Sequence, residues 1–166
     1  MTTEALRSTS MPSPVGVLTL VASDRGLRAV LWEDDEERIV IQGAAPADDD
    51  PVLLATRTQL AEYFAGERTD FDLPLDPQGT PFQLRAWQAL REIPYGETIS
   101  YGEQAARLGD PNKSRAVGAA NGRNPISIIV PCHRVIGSNG SLTGFGGGLP
   151  AKRLLLELEQ GIQSLI

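Results

Sequence analysis

Cys132 and His133 are adjacent, and they are the only cysteine and the only histidine among 166 residues. A free thiol has a pKa of about 8.5 and is mostly protonated at neutral pH, so a nucleophilic cysteine needs a neighbouring base, a cation or a helix N-terminus. Histidine supplies a base, and it works best with an acceptor orienting its second ring nitrogen. Glu157 and Glu159, in the last helical pattern of the chain, are the candidates by order. Neighbouring side chains on an extended segment point to opposite sides, so His133 would reach Cys132 through a water rather than directly. Residue types alone also allow a buried, inert thiol beside a hydrogen-bonded imidazole. The elements around the pair must discriminate.

Residues 126–130, Ile-Ser-Ile-Ile-Val, are apolar and largely β-branched, and they lead into the pair as a buried extended run. A glycine-rich stretch, Gly144-Phe145-Gly146-Gly147-Gly148, follows. Residues 149–160 then carry a helical pattern with Leu154, Leu155 and Leu158 toward the core and Gly161 as the stop. Upstream, Thr80 is an N-cap with Pro81 at the first helical position, and that helix runs toward Pro94. Ser100-Tyr101-Gly102-Glu103 has capping-box spacing and opens a short helix over residues 101–108. Asp110-Pro111-Asn112 makes a turn into a second helix over 113–121, rich in Ala, Gly and Arg. Two short helices about a tight turn have helix-turn-helix proportions.

Residues 1–12 are small and polar without periodicity, the pattern of a disordered tail. Strand signals over 15–22 and 27–32 flank the turn residues Ser23-Asp24-Arg25-Gly26 and predict a hairpin. An acidic loop follows at 33–37, a short strand at 38–41 and an amphipathic helix over 52–65 with Gly66 as its stop. Phe71, Leu73 and Leu75 alternate as an edge strand. Charge changes sign near residue 80, with 6 Lys/Arg against 15 Asp/Glu before it and 9 against 6 after it. The basic excess concentrates in Arg107, Lys113, Arg115, Arg123 and Arg134, just upstream of and within the Cys-His segment, and suggests a phosphate-binding patch. The domain expectation is a tail at 1–12, an N-terminal α/β domain at 13–76, a linker at 77–79 and a second domain at 80–166.

Composition excludes several classes. No stretch approaches the roughly 20 apolar residues of a membrane span. The first twelve residues lack the apolar core of a secretory signal. One cysteine cannot form an internal disulfide, and one Cys with one His falls short of a four-ligand zinc site. A cytoplasmic setting, no metal and no cofactor are expected.

Pro131-Cys132-His133-Arg134-Val135 resembles the active-site signature of the O6-alkylguanine-DNA alkyltransferases, and the likeness extends well beyond it. Ile93-Pro94-Tyr95-Gly96-Glu97-Thr98, Ser100-Tyr101-Gly102, Arg115-Ala116-Val117-Gly118, Asn124-Pro125 and Gly147-Gly148 fall in family order and spacing. The resemblance is strong over residues 80–161. It is thinner before that, resting on Pro14-Val15-Gly16 and Tyr63-Phe64-Ala65-Gly66. It implies a ribonuclease-H-like small sheet with a helix, followed by a mainly helical domain with the helix-turn-helix.

The resemblance also implies a reaction. Such proteins bind duplex DNA, flip an O6-alkylguanine (and here also O4-alkylthymine) out of the stack and move its alkyl group irreversibly onto the cysteine. By position, Cys132 is the acceptor, His133 its base through a water, and Glu159, 27 residues after the cysteine, the orienting carboxylate. Tyr101 supports the flipped base and helps protonate the leaving guanine, and Asn124 braces the turn before the cysteine strand. Arg115 falls on the finger that fills the space of the extruded base. Ala116, Gly118 and Ala119 give a slim helix that presses into the minor groove, with Lys113, Arg123 and Arg134 on the backbone. Tyr101, Ser127, Val135, Phe145 and Gly146 would form the base pocket. Phe145 stands where the family commonly has tyrosine, and Ser127 where some relatives have proline. The expected partner is double-stranded DNA, met by a monomer, with cooperative binding along DNA left open. The alternative is a helix-turn-helix protein that binds lesions without chemistry. Non-transferring relatives lack the cysteine, so Cys132 argues against it. A third option, a cysteine hydrolase, would release product repeatedly.

Overall fold

The computed structural model describes residues 5–33, 43–140 and 148–161. The expected strand at 38–41, most of the acidic loop, and Phe145 and Gly146 lie outside the described residues.

Four strands form the N-terminal sheet in the order β3-β2-β1-β4. The predicted hairpin is β2 (Leu18–Ser23) and β3 (Gly26–Leu31), antiparallel, with a register irregularity at Val21/Ala22. Residues 7–11, expected within a disordered tail, form strand β1 (Arg7–Met11) between β2 and the two-residue β4 (Ala45–Pro46). Its polar composition hides the reason. Thr9 and Met11 point alternately into the core, Thr9 donates to Asp48, and the Arg7 guanidinium is held by Asp24 and Asp50. Asp50 also caps α1 (Pro51–Phe64) by accepting from Val52 and Leu53 N–H. That helix covers the sheet with Leu53, Leu60 and Tyr63, all fully buried.

The alternation over 71–75 yields no edge strand. Only Leu75 reaches the sheet, through an isolated bridge to Leu27. The backbone there is fixed by Leu27 N–H donating to Pro74 O and Asp76 N–H to Leu27 O. The outer edge of β3 also meets the C-terminal half, where Val30 bridges Ile126 and donates to Pro125 O at 2.9 Å. An edge strand with unpaired N–H groups is normally exposed. Here residues 74–76 cover it at Leu27 and residues 125–126 at Val30, in keeping with the burial of β3 along nearly its whole length.

Thr80 opens α2 (Pro81–Arg91) with a complete capping box to Gln83, as its sequence predicts. Gly79 just before it has no room for a side chain, since a Cβ would sit 2.6 Å from the Trp87 ring. The Trp87 indole donates to Ala120 O at 2.8 Å and ties α2 to α4 (Ser114–Gly122). Ser100 caps α3 (Tyr101–Arg107) by accepting from Glu103 N–H. A 3-10 turn at Pro111–Lys113, capped by Asp110, joins α3 to α4. Gln104 and Asn121 exchange reciprocal amide hydrogen bonds at 2.8 and 3.1 Å, and Gln104 also donates to Ala86 O, so one buried amide pair locks α2, α3 and α4 together. A short parallel pair, β5 (Ile99–Ser100) with β6 (Val135–Ile136), brings the segment after the cysteine beside the start of α3.

The final helix, α5 (Leu149–Glu159), is rotated from its expected phase. Ala151, Lys152, Leu155, Leu156 and Glu159 face inward, while Leu154 and Leu158 are only partly covered. Two charged residues therefore lie on the apolar face, and both belong to the site.

Candidate active site

Cys132 sits on a 3-10 turn, Cys132–Arg134, instead of the expected strand. The run before it is coiled by two tight backbone bonds, Ile129 N–H to Ser127 O and Cys132 N–H to Val130 O, at 2.8 and 2.9 Å. Strand propensity in residues 126–130 is overridden because only Ile126 finds a strand partner, Val30. Ile128 is held at φ 73°, a region that costs a β-branched residue about 1–3 kcal/mol.

Asn124 balances that strain. Its amide oxygen accepts from Ile126 N–H at 3.0 Å and its amide nitrogen donates to Val130 O at 2.8 Å, closing the loop from both ends. Asn124→Ala would leave a buried donor and a buried acceptor unpaired. It should lower stability by about 3 kcal/mol, read as a reduced urea midpoint, and slow the chemistry of Cys132 in whatever protein remains folded. A second brace comes from the N-terminal domain, whose Trp32 indole donates to Ser127 Oγ at 3.0 Å. Ser127 was expected in the pocket wall. Its hydroxyl accepts that bond from the other domain, and the side chain is buried.

His133 is fully buried, and its Nε2 lies 2.6 Å from Glu159 Oε2. Burial pushes the Glu159 carboxyl up, but the hydrogen bonds and charges of His133 and Arg134 outweigh burial and hold it at about 2. An ionised carboxylate only accepts, so Nε2 carries the hydrogen. Burial lowers the imidazole pKa despite the pull of Glu159 the other way, so the ring is neutral at neutral pH. Its other nitrogen, Nδ1, is buried without a hydrogen-bond partner among the described residues. A neutral ring, with Nε2–H anchored and a lone pair left on Nδ1, is the protonation state of a general base. Of the two candidate carboxylates, Glu159 makes the contact; Glu157, two positions earlier and half-buried, points to the other side of the helix.

Arg134 was expected on the DNA backbone, and the structure corrects this. Its Nε meets Glu159 Oε1 at 2.7 Å, its Nη2 meets Oε2 at 3.0 Å, and its Nη1 donates to Ile93 O at 2.7 Å. The guanidinium also lies 5.7 Å from the centre of the Tyr95 ring. Each of its three nitrogens has a partner inside the protein, so it serves as the counterion of Glu159. Clustered basic residues read as one surface patch in the sequence, because the carboxylate that withdraws Arg134 lies 25 positions away.

Two residues of the site escaped the sequence reading. Tyr63, from α1, donates its hydroxyl to Glu159 Oε2 at 2.6 Å. Lys152, from α5, is fully buried and donates to Val135 O at 2.7 Å, with its ammonium 5.9 Å from the centre of the Tyr101 ring. Burial lowers the Lys152 pKa, and the charge of Cys132 opposes that by attraction. Lys152 had a signal: it lies seven residues before Glu159, on one helical face with Leu155. Tyr63 had none beyond its motif.

Tyr101 begins α3, and its ring is in van der Waals reach of a Cβ placed at Gly118 on α4. Arg115, Ala116, Ala119 and Arg123 lie exposed on the outer side of α4, with Gly118 half-covered, while Val117, Ala120 and Asn121 face inward. Lys113 is exposed just before that helix, over the Phe82 ring. Val135, in β6, is buried with its carbonyl occupied by Lys152.

Comparison with known proteins agrees over nearly the whole chain. Residues 6–77 match the ribonuclease-like domain, and residues 81–161 the DNA binding domain, of 6-O-methylguanine DNA methyltransferase. A methylated-DNA–protein-cysteine methyltransferase of Methanosarcina acetivorans is 50% identical, with 89% of this chain and 94% of that protein covered. One from Haemophilus influenzae is 47% identical, with 94% and 87% covered. The crystal structure of Mycobacterium tuberculosis OGT in complex with DNA superposes with a TM-score of 0.86 at 48% identity, covering 97% of this chain and 96% of that one. The expected pairing of a ribonuclease-like sheet with a helical DNA-binding domain is borne out. With identity near one half across nearly their full length, the chain belongs to the family of methylated-DNA–protein-cysteine methyltransferases.

Proposed function

We propose that this methyltransferase repairs O6-alkylguanine in duplex DNA by a single transfer of the alkyl group to Cys132. The observation that carries the assignment is the buried relay of Glu159, His133 and a free Nδ1 behind the only cysteine. His133 takes the thiol proton at Nδ1 through a water. The sulfur attacks the alkyl carbon in line, the carbon–O6 bond breaks, and its electron pair leaves with the guanine. Tyr101 supports the flipped base and helps protonate it, because neutral guanine leaves far more readily than its anion. The product is a thioether that water does not cleave, so each molecule acts once. O4-alkylthymine presents the same alkyl–oxygen bond.

The exposed face of α4 suits the delivery step. Extruding a base costs a few kcal/mol of stacking, which a side chain entering the gap offsets. Arg115 is the side chain for that role. Ala116, Ala119 and Gly118 let the helix approach the groove closely, and Lys113 and Arg123 meet phosphates. Val135 and the segment containing Phe145 and Gly146 complete the base pocket. The protein is read as a monomer on DNA, free to bind cooperatively along it. It works without a cofactor in the cytoplasm, where a lone thiol stays reduced. Among the described residues no helix is long and apolar enough to cross a membrane.

Incubation with a duplex bearing O6-methylguanine should add one methyl mass to the Cys132 peptide, one per molecule, and Cys132→Ala should abolish it. Repeated turnover, or repair by the alanine variant, would refute the assignment; the latter would favour lesion binding without chemistry. Arg115→Ala should slow transfer from duplex substrate by about tenfold or more, while leaving overall duplex affinity within a few-fold. Equal repair rates on duplex DNA would remove Arg115 from the flipping step.

A further inference from the structure

The N-terminal domain contributes a side chain to the catalytic relay. Tyr63 lies in the last turn of α1, fully buried, with its ring edge-on to Phe64 and Tyr95 and tilted against Phe71 at 5.5 Å. These contacts pack the ring on several sides. Its hydroxyl is thereby delivered to Glu159 Oε2, the same oxygen that receives His133 Nε2, both at 2.6 Å. Arg134 Nη2 approaches that oxygen at 3.0 Å, while Oε1 accepts from Arg134 Nε. Oε2 therefore gathers three donors, with the Tyr63 hydroxyl and the His133 ring the two shortest, and together they fix the carboxylate plane.

We propose that Tyr63 is a positioning residue for the alkyl transfer: its hydroxyl orients Glu159 and limits how strongly that carboxylate can hold a protonated His133. The inference rests on the relay proposed above. The phenol cannot ionise in place, since burial and the Glu159 charge both oppose it, so it always donates. Each donor on Oε2 withdraws charge from it and weakens its hold on the imidazole. With the hydroxyl removed, Oε2 becomes more basic toward His133, and the ring protonates at higher pH. The other groups acting on His133 are kept by that substitution: Arg134 on the same turn, Lys152 and Glu159 on α5, and Cys132 beside it in the chain.

The single histidine makes the test direct. Nitrogen-15 NMR of the free protein reports the tautomer and titration of His133 without assignment, and single-turnover methyl transfer is followed against pH. Tyr63→Phe keeps the ring packing. It should raise the His133 titration by about one pH unit and move the acid limb of the transfer rate upward with it, leaving duplex affinity unchanged. Phe71→Leu loosens the same ring cluster but keeps the hydroxyl, and should lower stability with no shift in either readout. An unshifted His133 titration in folded Tyr63→Phe, or an equal shift in Phe71→Leu, would overturn the proposal. The wild-type protein gives a reading that needs no variant to fold: the Tyr63 hydroxyl proton should be protected from exchange and show a cross-peak to the His133 Nε2 proton. Its absence would overturn the hydrogen bond itself. Failure of the wild type to take up methyl would instead sink the assigned reaction and leave these spectroscopic outcomes standing.

Discussion

Glu159→Gln should lose both stability and methyl transfer, and the two losses have separable pH signatures. The carboxylate is the counterion of a buried guanidinium and the acceptor for a buried imidazole and a buried phenol. Breaking a buried pair by removing one partner costs about 3–5 kcal/mol, because the remaining charge stays desolvated. The depressed pKa gives a similar figure. A carboxyl held at about 2 against an ordinary value of 4.5 contributes roughly 3 kcal/mol. Because the folded value is the lower one, this contribution is complete above about pH 5 and is lost as pH falls toward 2. His133 acts in the same direction, since burial lowers its pKa and acid favours the unfolded chain, where it protonates freely. The wild type should therefore lose stability steeply below neutrality. Glu159→Gln should start less stable at pH 7 and show a shallower slope between pH 5 and 2, measured by urea unfolding. Transfer at pH 7 should fall by about 100-fold or more, the usual worth of a positioned base. A folded variant that transfers methyl at the wild-type rate would remove Glu159 from the chemistry.

The parts of this protein legible in its sequence are those set by neighbours along the chain. Thr80 with Gln83, and Ser100 before α3, cap their helices through bonds spanning three residues, so local chemistry announces them. The α3–turn–α4 unit follows from two such signals and the Asp110 turn. Cys132, His133 and Glu159 were found through residue type and motif, and the structure brings His133 and Glu159 into contact. The misses share a different cause. Strand β1 looks like a polar tail because its anchors, Asp48 and Asp50, lie about 40 positions away. Arg134 looks like a surface cation until Glu159 is folded against it. Ser127 turns to Trp32 across 95 residues, and Tyr63 turns to Glu159 across 96. The 126–130 run has strand composition but lacks a neighbouring strand to pair with along most of its length. Each of these is decided by contacts between segments far apart along the chain, and Ser127 and Tyr63 by packing one half of the chain on the other. Periodicity cannot register that, because it is a property of a single element.

Lys152→Met should have the opposite thermodynamic sign from Glu159→Gln while also impairing the reaction. Lys152 is a fully buried cation whose Nζ donates to Val135 O and lies over the Tyr101 ring. Burial lowers its pKa, which records that the folded protein works against the charged form. Replacing such a cation with an apolar side chain of similar length removes the desolvation penalty but takes the donor away from Val135 O. Those changes oppose each other, so stability should stay within about 1 kcal/mol of wild type or rise. Function should not survive as well. The lysine charge attracts that of Cys132, so it favours the thiolate over the thiol. It also fixes the carbonyl of Val135, a residue of the proposed base pocket, and packs against the ring proposed to support the flipped base. The pH at which Cys132 reacts with a small alkylating reagent should rise by about one unit in Lys152→Met. Methyl transfer from duplex DNA should fall by about 10-fold or more, since both the thiolate and the pocket wall are affected. Sites built for chemistry hold charges that the fold would be as stable without. A variant that is as stable as wild type yet transfers slowly would place Lys152 in that class, whereas unchanged thiol reactivity and unchanged transfer would return it to a packing role.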